Sequence, residues 1–289
     1  MMKKQLQKQL CIFAAFVAAF LAAGSIWYWQ TGGTLALTVL MFTPTVSVLL
    51  TTLLAGAGWK ELLASFHLKP RLQQNKGRYL GVWLLTPVVA YLGAAFYFLL
   101  FPQQFTLQSA LAVESGMQGT DYIAFLATMI PLAVLVNPLM GLPQCLGEEL
   151  AWRGWLLPKL TERFGQLRAV LLTGLVWGIW HAPVVAMGYN YGEGHPLANV
   201  AAMVLFCLVL GVIQGFLFWR TDSIWGPVLF HAAVNGIDLW KPTDLFMSSP
   251  ANLFVGPNLV GIVGGLGFVL LALWCLRQIG RGKVSASFF

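Results

Sequence analysis

The chain has 289 residues, of which 58% are hydrophobic and only 9% are charged. Soluble globular domains carry roughly 25% charged residues, so this composition excludes a soluble enzyme and an intrinsically disordered protein. The formal net charge of +7 is what membrane topology produces, because membrane proteins concentrate Lys and Arg in cytoplasmic loops. We therefore expect a polytopic protein of the cell (cytoplasmic) membrane, with the lipid bilayer as its surroundings and no nucleic acid partner.

Apolar runs long enough to cross a bilayer recur along the whole chain. A transmembrane helix needs about 20 mostly apolar residues. On this criterion the sequence predicts an all-α polytopic membrane protein with eight transmembrane helices, which form a single integral-membrane domain over residues 1–289. The predicted spans are 10–29, 34–55, 79–101, 123–147, 169–188, 198–219, 224–240 and 253–275.

The distribution of positive charge predicts the orientation of these spans. If the N-terminus is cytoplasmic and every span crosses, all of the 17 Lys and Arg residues except Lys241 fall on the inner side. If one span were omitted or wrongly added, every later loop would change sides, and the Lys and Arg residues would no longer fall on one side of the membrane. The sequence therefore predicts that both termini are cytoplasmic.

Two connecting segments and the cysteines give further predictions. The inner segment 58–78 is amphipathic at its start, and we favour an interfacial connector over a membrane-surface helix that guides substrate. The outer loop 102–122 has no Lys or Arg and is predicted to be a plain exported linker. The four cysteines are scattered among apolar runs, which favours small buried side chains over disulfides or a thiolate metal site.

Ionisable side chains inside membrane spans are costly, and each is a candidate functional residue. The fourth span leads into GEELAWRGWLLP, the fifth contains WGIWHAP, and the seventh contains FHAAVNGID. His67 and His195 lie in predicted loops, so neither is a candidate functional residue. The candidates in these segments are Glu148, Glu149, Arg153, His181, His231, Asn235 and Asp238.

Helical spacing predicts which of these side chains share a face. Glu149 and Arg153 are four residues apart and can pair, whereas Glu148 is turned about 100° away and has no partner at helical spacing. Trp177 precedes His181 by four residues and can pack beneath its imidazole.

The seventh-span residues His231, Asn235 and Asp238 also share a face. For either histidine alone, a simple hydrogen bond to a neighbouring helix is an equally good explanation. Glu149 with Arg153 could be only an ion pair at a helix end. Asp238 lies near Lys241, where we expect an interfacial residue without a catalytic role.

The set as a whole fits water-mediated hydrolysis of an amide. A carboxylate can take a proton from water, one imidazole can orient that water, and a second imidazole with a carboxamide can stabilise the oxyanion. The sequence shows no mid-span Ser–His or Ser–Lys arrangement, no HExxH motif and no suitable aspartate pair.

Three motifs in order resemble one family. GEELAWRGWL matches EExxxR, WGIWH matches FxxxH with Trp177 in place of Phe, and HAAVN matches HxxxN. Over about residues 123–240 the chain resembles the CAAX protease and bacteriocin-processing (CPBP, or Abi) family of intramembrane glutamic endopeptidases, which is related to the type II CAAX prenyl endopeptidase. The resemblance implies an endopeptidase without cofactor or metal.

The resemblance also implies a role for each matched residue. Glu148 would be the catalytic base and would act on water together with His181. His231 and Asn235 would form the oxyanion pocket. The supporting residues would be Glu149, Arg153 and Trp177, the last of which preserves an aromatic ring at the one departure from the motifs.

Two alternatives stay open on the sequence. Glu148, His181 and His231 could hold a zinc ion with one open position, which would make the protein a metalloprotease. The protein could instead be a non-catalytic scaffold or bacteriocin-immunity protein. A transporter fits less well, because the polar residues gather at one inner site.

The predicted site lies in the inner half of the bilayer. Glu148 stands at the inner end of its span, and His231 is roughly 10 Å deep in a helix that starts inside. A protein or peptide substrate would therefore enter from the cytoplasmic side or laterally from the inner leaflet.

Overall fold

A computed structural model describes residues 2–56, 58–249 and 251–284, and all regular structure in these ranges is helical. The all-α prediction is confirmed for this part of the chain. The helices are α1 (Met2–Thr31), α2 (Thr34–Ala55), α3 (Trp59–Ser65), α4 (Leu72–Leu100), α5 (Ala110–Glu114), α6 (Gly119–Leu135), α7 (Asn137–Glu149), α8 (Leu157–Phe164), α9 (Gln166–Ala186), α10 (Pro196–Thr221), α11 (Trp225–Asp238), α12 (Pro242–Phe246) and α13 (Leu266–Gly280), with a 3₁₀ turn at Pro102–Gln104 and a π-helical turn at Leu150–Leu156.

Six helical segments in the described residues are long and apolar enough to cross a membrane, and each overlaps one of the first six predicted spans. The seventh and eighth predicted spans correspond to shorter helices, α11 with 14 residues and α13 with 15. At 1.5 Å per residue each reaches about 22 Å, less than the roughly 30 Å of a bilayer core. The eight-span count and the sidedness of the termini stay predictions.

The prediction of a helix over the whole of 253–275 is wrong in its first half, because the chain forms turns until α13 begins. This stretch is rich in glycine and contains Pro257. Gly256 has a φ of 138°, a conformation open to glycine and closed to other residues. A side chain at Gly264 would collide with the backbone of Pro257 and Asn258. The observed turns therefore require glycine at both positions.

The segment between the fourth and fifth predicted spans is also more regular than a loop. Helical structure continues from α7 through the π-helical turn and α8 as far as Phe164, and only Gly165 separates α8 from α9. Gly165 adopts a φ of 76°, which lets the chain turn sharply there. The segment that carries Glu148 is thus built on continuous helix.

The described residues form two compact units. One is drawn from 2–56, 58–76, 143–228 and 274–284, and the other from 77–142, 229–249 and 251–273.

In the first unit α9 and α10 pack closely, because glycines line their contact. A Cβ at Gly178 would lie 2.7 Å from the Cα of Val204, and a Cβ at Gly211 would lie 3.0 Å from the Cα of Gly174. Small residues at such spacing allow helix backbones to approach in membranes.

The predicted connector 58–78 is anchored to the turn after α10 in the first unit. The carboxylate of Asp222 binds Arg71 at 2.5 Å and His67 at 3.1 Å. The Trp225 indole donates a hydrogen bond to the Leu68 carbonyl at 2.8 Å. Burial lowers the pKa of His67 despite the attraction of Asp222, and the charge of Arg71 adds to the decrease.

In the second unit, residues 102–122 are folded, whereas the sequence predicted a plain linker. Tyr122 on α6 donates its hydroxyl hydrogen to the carbonyl of Leu245 and shares a second hydrogen bond with Ser109, each at 2.7 Å. Ala112, Tyr122, Leu126 and Leu245 form a buried cluster. The region 102–122 therefore carries its own helix α5 and a small apolar core.

The cysteines follow the prediction with one exception. Cys145, Cys207 and Cys275 are buried free thiols, whereas Cys11 is exposed. Helix α1 explains the difference, because most of its surface is not covered by other parts of the chain.

Candidate active site

Glu148 lies at the C-terminal end of α7 and is buried, with 1% of its surface exposed. Its Oε2 accepts hydrogen bonds from two indoles, Trp177 Nε1 at 2.6 Å and Trp152 Nε1 at 3.3 Å. Trp177 belongs to α9 and Trp152 to the π-helical turn that follows Glu149. An indole N–H can only donate, so both groups present hydrogen to one carboxylate oxygen and fix its position.

The neighbouring Glu149 has different partners from Glu148, as expected from the rotation of about 100° between consecutive residues of a helix. Its Oε1 accepts from Arg153 Nη1 at 2.9 Å and from Gln214 Nε2 at 2.9 Å. All three side chains are at most 1% exposed. The predicted Glu149–Arg153 pair is therefore confirmed, and it is a buried pair with a third partner from α10.

Arg153 connects the two glutamates. Its guanidinium carbon lies 4.6 Å from the centre of the Trp177 ring, within the range of a cation–π interaction. The same Trp177 donates its N–H to Glu148. The Glu149–Arg153 pair thus packs against the residue that holds the carboxylate of Glu148.

His181 contacts Trp177 twice. Its Nδ1 lies 2.9 Å from the Trp177 carbonyl oxygen, and the two rings meet edge to face with centres 5.6 Å apart. A carbonyl oxygen can only accept, so we assign the proton of a neutral His181 to Nδ1. In that tautomer Nε2 is an acceptor that can take a hydrogen bond from water.

His231 and Asn235 lie one helical turn apart on α11, in the second compact unit. His231 is buried and Asn235 is half-buried. In this unit α11 packs against the start of α7, since the Asn137 amide donates to the Gly236 carbonyl at 3.5 Å. The structure thus brings together the residues of the first two motifs within one unit and places the third motif in the other.

Asp238 is the last residue of α11 and has a lysine beside it. Its carboxylate lies 3.5 Å from the ammonium of Lys241. Lys241 lies three residues beyond the end of α11, so the expected proximity of these two residues is confirmed, and the interfacial position of Asp238 stays a prediction.

Sequence reasoning missed two residues of this site. Trp152 follows Glu148 by four residues, so the prediction that Glu148 has no partner at helical spacing is wrong; the indole N–H was not considered as a donor. Gln214 is a carboxamide within a predicted span, and a survey limited to ionisable side chains left it out. A search for every polar side chain in the spans would have found both.

In the first unit, the described residues include no group of three His, Cys, Asp or Glu side chains suited to a metal ion. The donors around Glu148 are indole N–H groups, which do not ligate metals. The zinc alternative depends on His231 of the other unit, so a chelation assay has to decide it.

Fold and site together define a helical membrane protein with a buried carboxylate held by indole donors from two helical segments. Comparison with known proteins finds a family model and curated relatives similar to part of the chain. The family model "Type II CAAX prenyl endopeptidase Rce1-like" matches residues 123–237. This segment carries all three motifs, and the resemblance predicted from them is confirmed.

Two curated relatives agree with the family match. The chain is 26% identical over 149 residues to CAAX prenyl protease 2 of Methanococcus maripaludis, an alignment that covers 48% of this chain and 52% of the relative. It is 29% identical over 131 residues to CAAX prenyl protease 2 of Homo sapiens, with 44% and 39% covered. The chain thus spans about half or less of the length of each relative.

Proposed function

We propose that this protein is an intramembrane endopeptidase that hydrolyses peptide bonds in membrane-associated or prenylated proteins or peptides. The observation that carries the proposal is the buried Glu148 carboxylate, whose Oε2 is held by two indole N–H groups. Two indoles donate to this carboxylate, and one of them, Trp177, is itself packed against the buried Glu149–Arg153 pair and against His181. The names of the matched relatives support the choice of a CAAX-type substrate.

The chemistry assigns one step to each residue. Glu148 takes a proton from a water molecule, while Nε2 of His181 accepts the second hydrogen of that water and orients it. The resulting hydroxide attacks the scissile carbonyl carbon. Glu148 then returns its proton to the nitrogen of the leaving group as the C–N bond breaks.

His231 and Asn235 have the complementary role in this proposal. The tetrahedral intermediate carries a negative charge on the former carbonyl oxygen, and hydrogen-bond donors directed at that oxygen lower its energy. The imidazole and carboxamide stand one helical turn apart on α11, a spacing at which both can reach the same oxygen.

The test is a cleavage assay with the full-length protein in proteoliposomes. The substrates are a farnesylated CAAX peptide and the same peptide without the lipid. Glu148→Gln keeps the size of the side chain but cannot accept the proton, so the rate should fall by about 10²–10⁴-fold. The matched control is Glu162→Gln, which changes an exposed glutamate on α8 and should leave the rate unchanged.

The outcomes separate the alternatives. Near-normal cleavage by folded Glu148→Gln would refute the glutamate mechanism. Loss of activity with a chelator and recovery with Zn²⁺ would support a metalloprotease. A wild-type protein that cleaves neither peptide would favour the scaffold.

A further inference from the structure

Gln214 is a buried carboxamide in the C-terminal half of α10, two turns before the helix ends at Thr221. A polar side chain at such a position in a membrane helix needs a hydrogen-bond partner. Its partner is the Oε1 of Glu149, at 2.9 Å from Nε2. Neither the three motifs nor the proposed catalytic steps assign Gln214 a role.

The contacts of Gln214 continue as an unbroken series to Glu148. The Glu149 oxygen that accepts from Gln214 also accepts from Arg153, so the two donors fix the same atom. The guanidinium of Arg153 lies against the Trp177 ring at 4.6 Å. The N–H of Trp177 lies 2.6 Å from the Oε2 of Glu148. Each step in this series is a direct contact between buried side chains.

Helix α10 confines Arg153 at a second point. A Cβ at Gly211, one turn before Gln214, would lie 3.5 Å from Arg153 Nη2. The guanidinium is therefore held between the backbone of α10 and the ring of Trp177. Gln214 and Gly211 act on the same ion pair from the same helix face.

The choice of a carboxamide has a physical reason. Arg153 already neutralises Glu149, so a second cation at position 214 would leave an unbalanced buried charge. A glutamine supplies one more donor to the carboxylate without adding charge. It thereby restricts the orientation of Glu149, and through it that of Arg153, without adding a buried charge.

From this series we infer that Gln214 is a positioning residue for catalysis. Its carboxamide orients the Glu149–Arg153 pair, which supports the Trp177 ring at the position where the indole N–H holds Glu148. The inference rests on the proposed function, because it assigns Gln214 a part in presenting the base Glu148 to water.

The first measurement is spectroscopic and needs no activity. Full-length protein labelled with 5-fluorotryptophan gives fluorine NMR signals, and the signal of Trp177 is the one lost in Trp177→Phe. Gln214→Met keeps the length of the side chain without its donor, and it should shift the Trp177 signal. The matched control Gln278→Met, which changes a half-buried glutamine on α13, should leave that signal in place.

The second measurement is a double-mutant cycle on cleavage of the farnesylated peptide. Gln214→Met should lower kcat by about tenfold or more with KM unchanged, as expected for a misplaced catalytic group. In the Trp177→Phe background the same substitution should have less than about a twofold effect, because the pathway to Glu148 is already broken. A merely structural role of Gln214 would give equal losses in both backgrounds.

The outcomes are distinguishable from those for the proposed function. Wild-type kcat in Gln214→Met beside an inactive Glu148→Gln refutes the role of Gln214 and leaves the peptidase standing. An unmoved Trp177 signal, or equal losses in both backgrounds, also overturns the inference. Equal cleavage by wild type and Glu148→Gln overturns the proposed function and the inference together.

Discussion

Replacement of Arg153 by alanine should destabilise the protein more than any other single change in the site. The guanidinium is the counterion of a fully buried carboxylate, and removal of one member of a buried ion pair costs about 3–5 kcal/mol. The lost cation–π contact with Trp177 is worth up to about 2 kcal/mol in a desolvated site. These costs overlap, so we expect a loss of 3–5 kcal/mol in the free energy of unfolding.

A double substitution separates the stranded charge from the lost packing. Glu149→Met with Arg153→Met removes both charges, and apolar replacement of a buried ion pair is often neutral. Gln214 then loses its acceptor, which costs about 1–3 kcal/mol. The double variant should therefore be more stable than Arg153→Ala, although it has lost two polar side chains.

The assay is reversible unfolding in mixed detergent micelles, followed by circular dichroism. Arg168→Ala, at an exposed position of α9, is the control and should change the free energy of unfolding by less than about 0.5 kcal/mol. An Arg153→Ala protein within about 1 kcal/mol of the wild type, or a double variant less stable than Arg153→Ala, would refute the reasoning.

Three further predictions concern other parts of the chain. Single alanine variants of His231 and Asn235 should each lower kcat by about 10²–10³-fold, whereas Asp238→Asn should be mild; cleavage rates of folded variants test both statements. Reporter fusions within 58–76 should report the cytoplasmic side and fusions within 102–118 the outer side, and the opposite labelling would reverse the topology. His67 has a lowered pKa, so protonation favours the unfolded state: stability should be full above the ordinary value of 6.5 and fall as the pH drops below it. Unfolding at several pH values tests this, and His67→Gln should flatten the dependence.

The composition was enough to predict the class of protein, and the apolar runs along the chain predicted most of its helices. With 9% charged residues there is too little polar surface for a soluble fold, and backbone groups in a bilayer must pair within helices. The prediction was wrong where glycine controls the backbone, at 253–265, because hydropathy measures side chains and not the conformations that glycine permits.

The side-chain pairs that the sequence determined are local ones. Glu149 with Arg153 and Trp177 with His181 are four residues apart, and helix geometry alone brings such residues together. Trp152 with Glu148 belongs to the same class and could have been predicted. In each case one helical segment fixes both partners.

Only the tertiary structure decided how these local pairs combine. Trp177 reaches Glu148 from 29 positions away, and Gln214 reaches Glu149 from 65 positions away. Both contacts depend on how closely separate helices pack, and for α9 and α10 that distance is set by glycines that let the backbones touch. Spacing along a sequence carries no information on the distance between two helices, so the donors that hold Glu148 and Glu149 from other helices emerged only when the chain was folded.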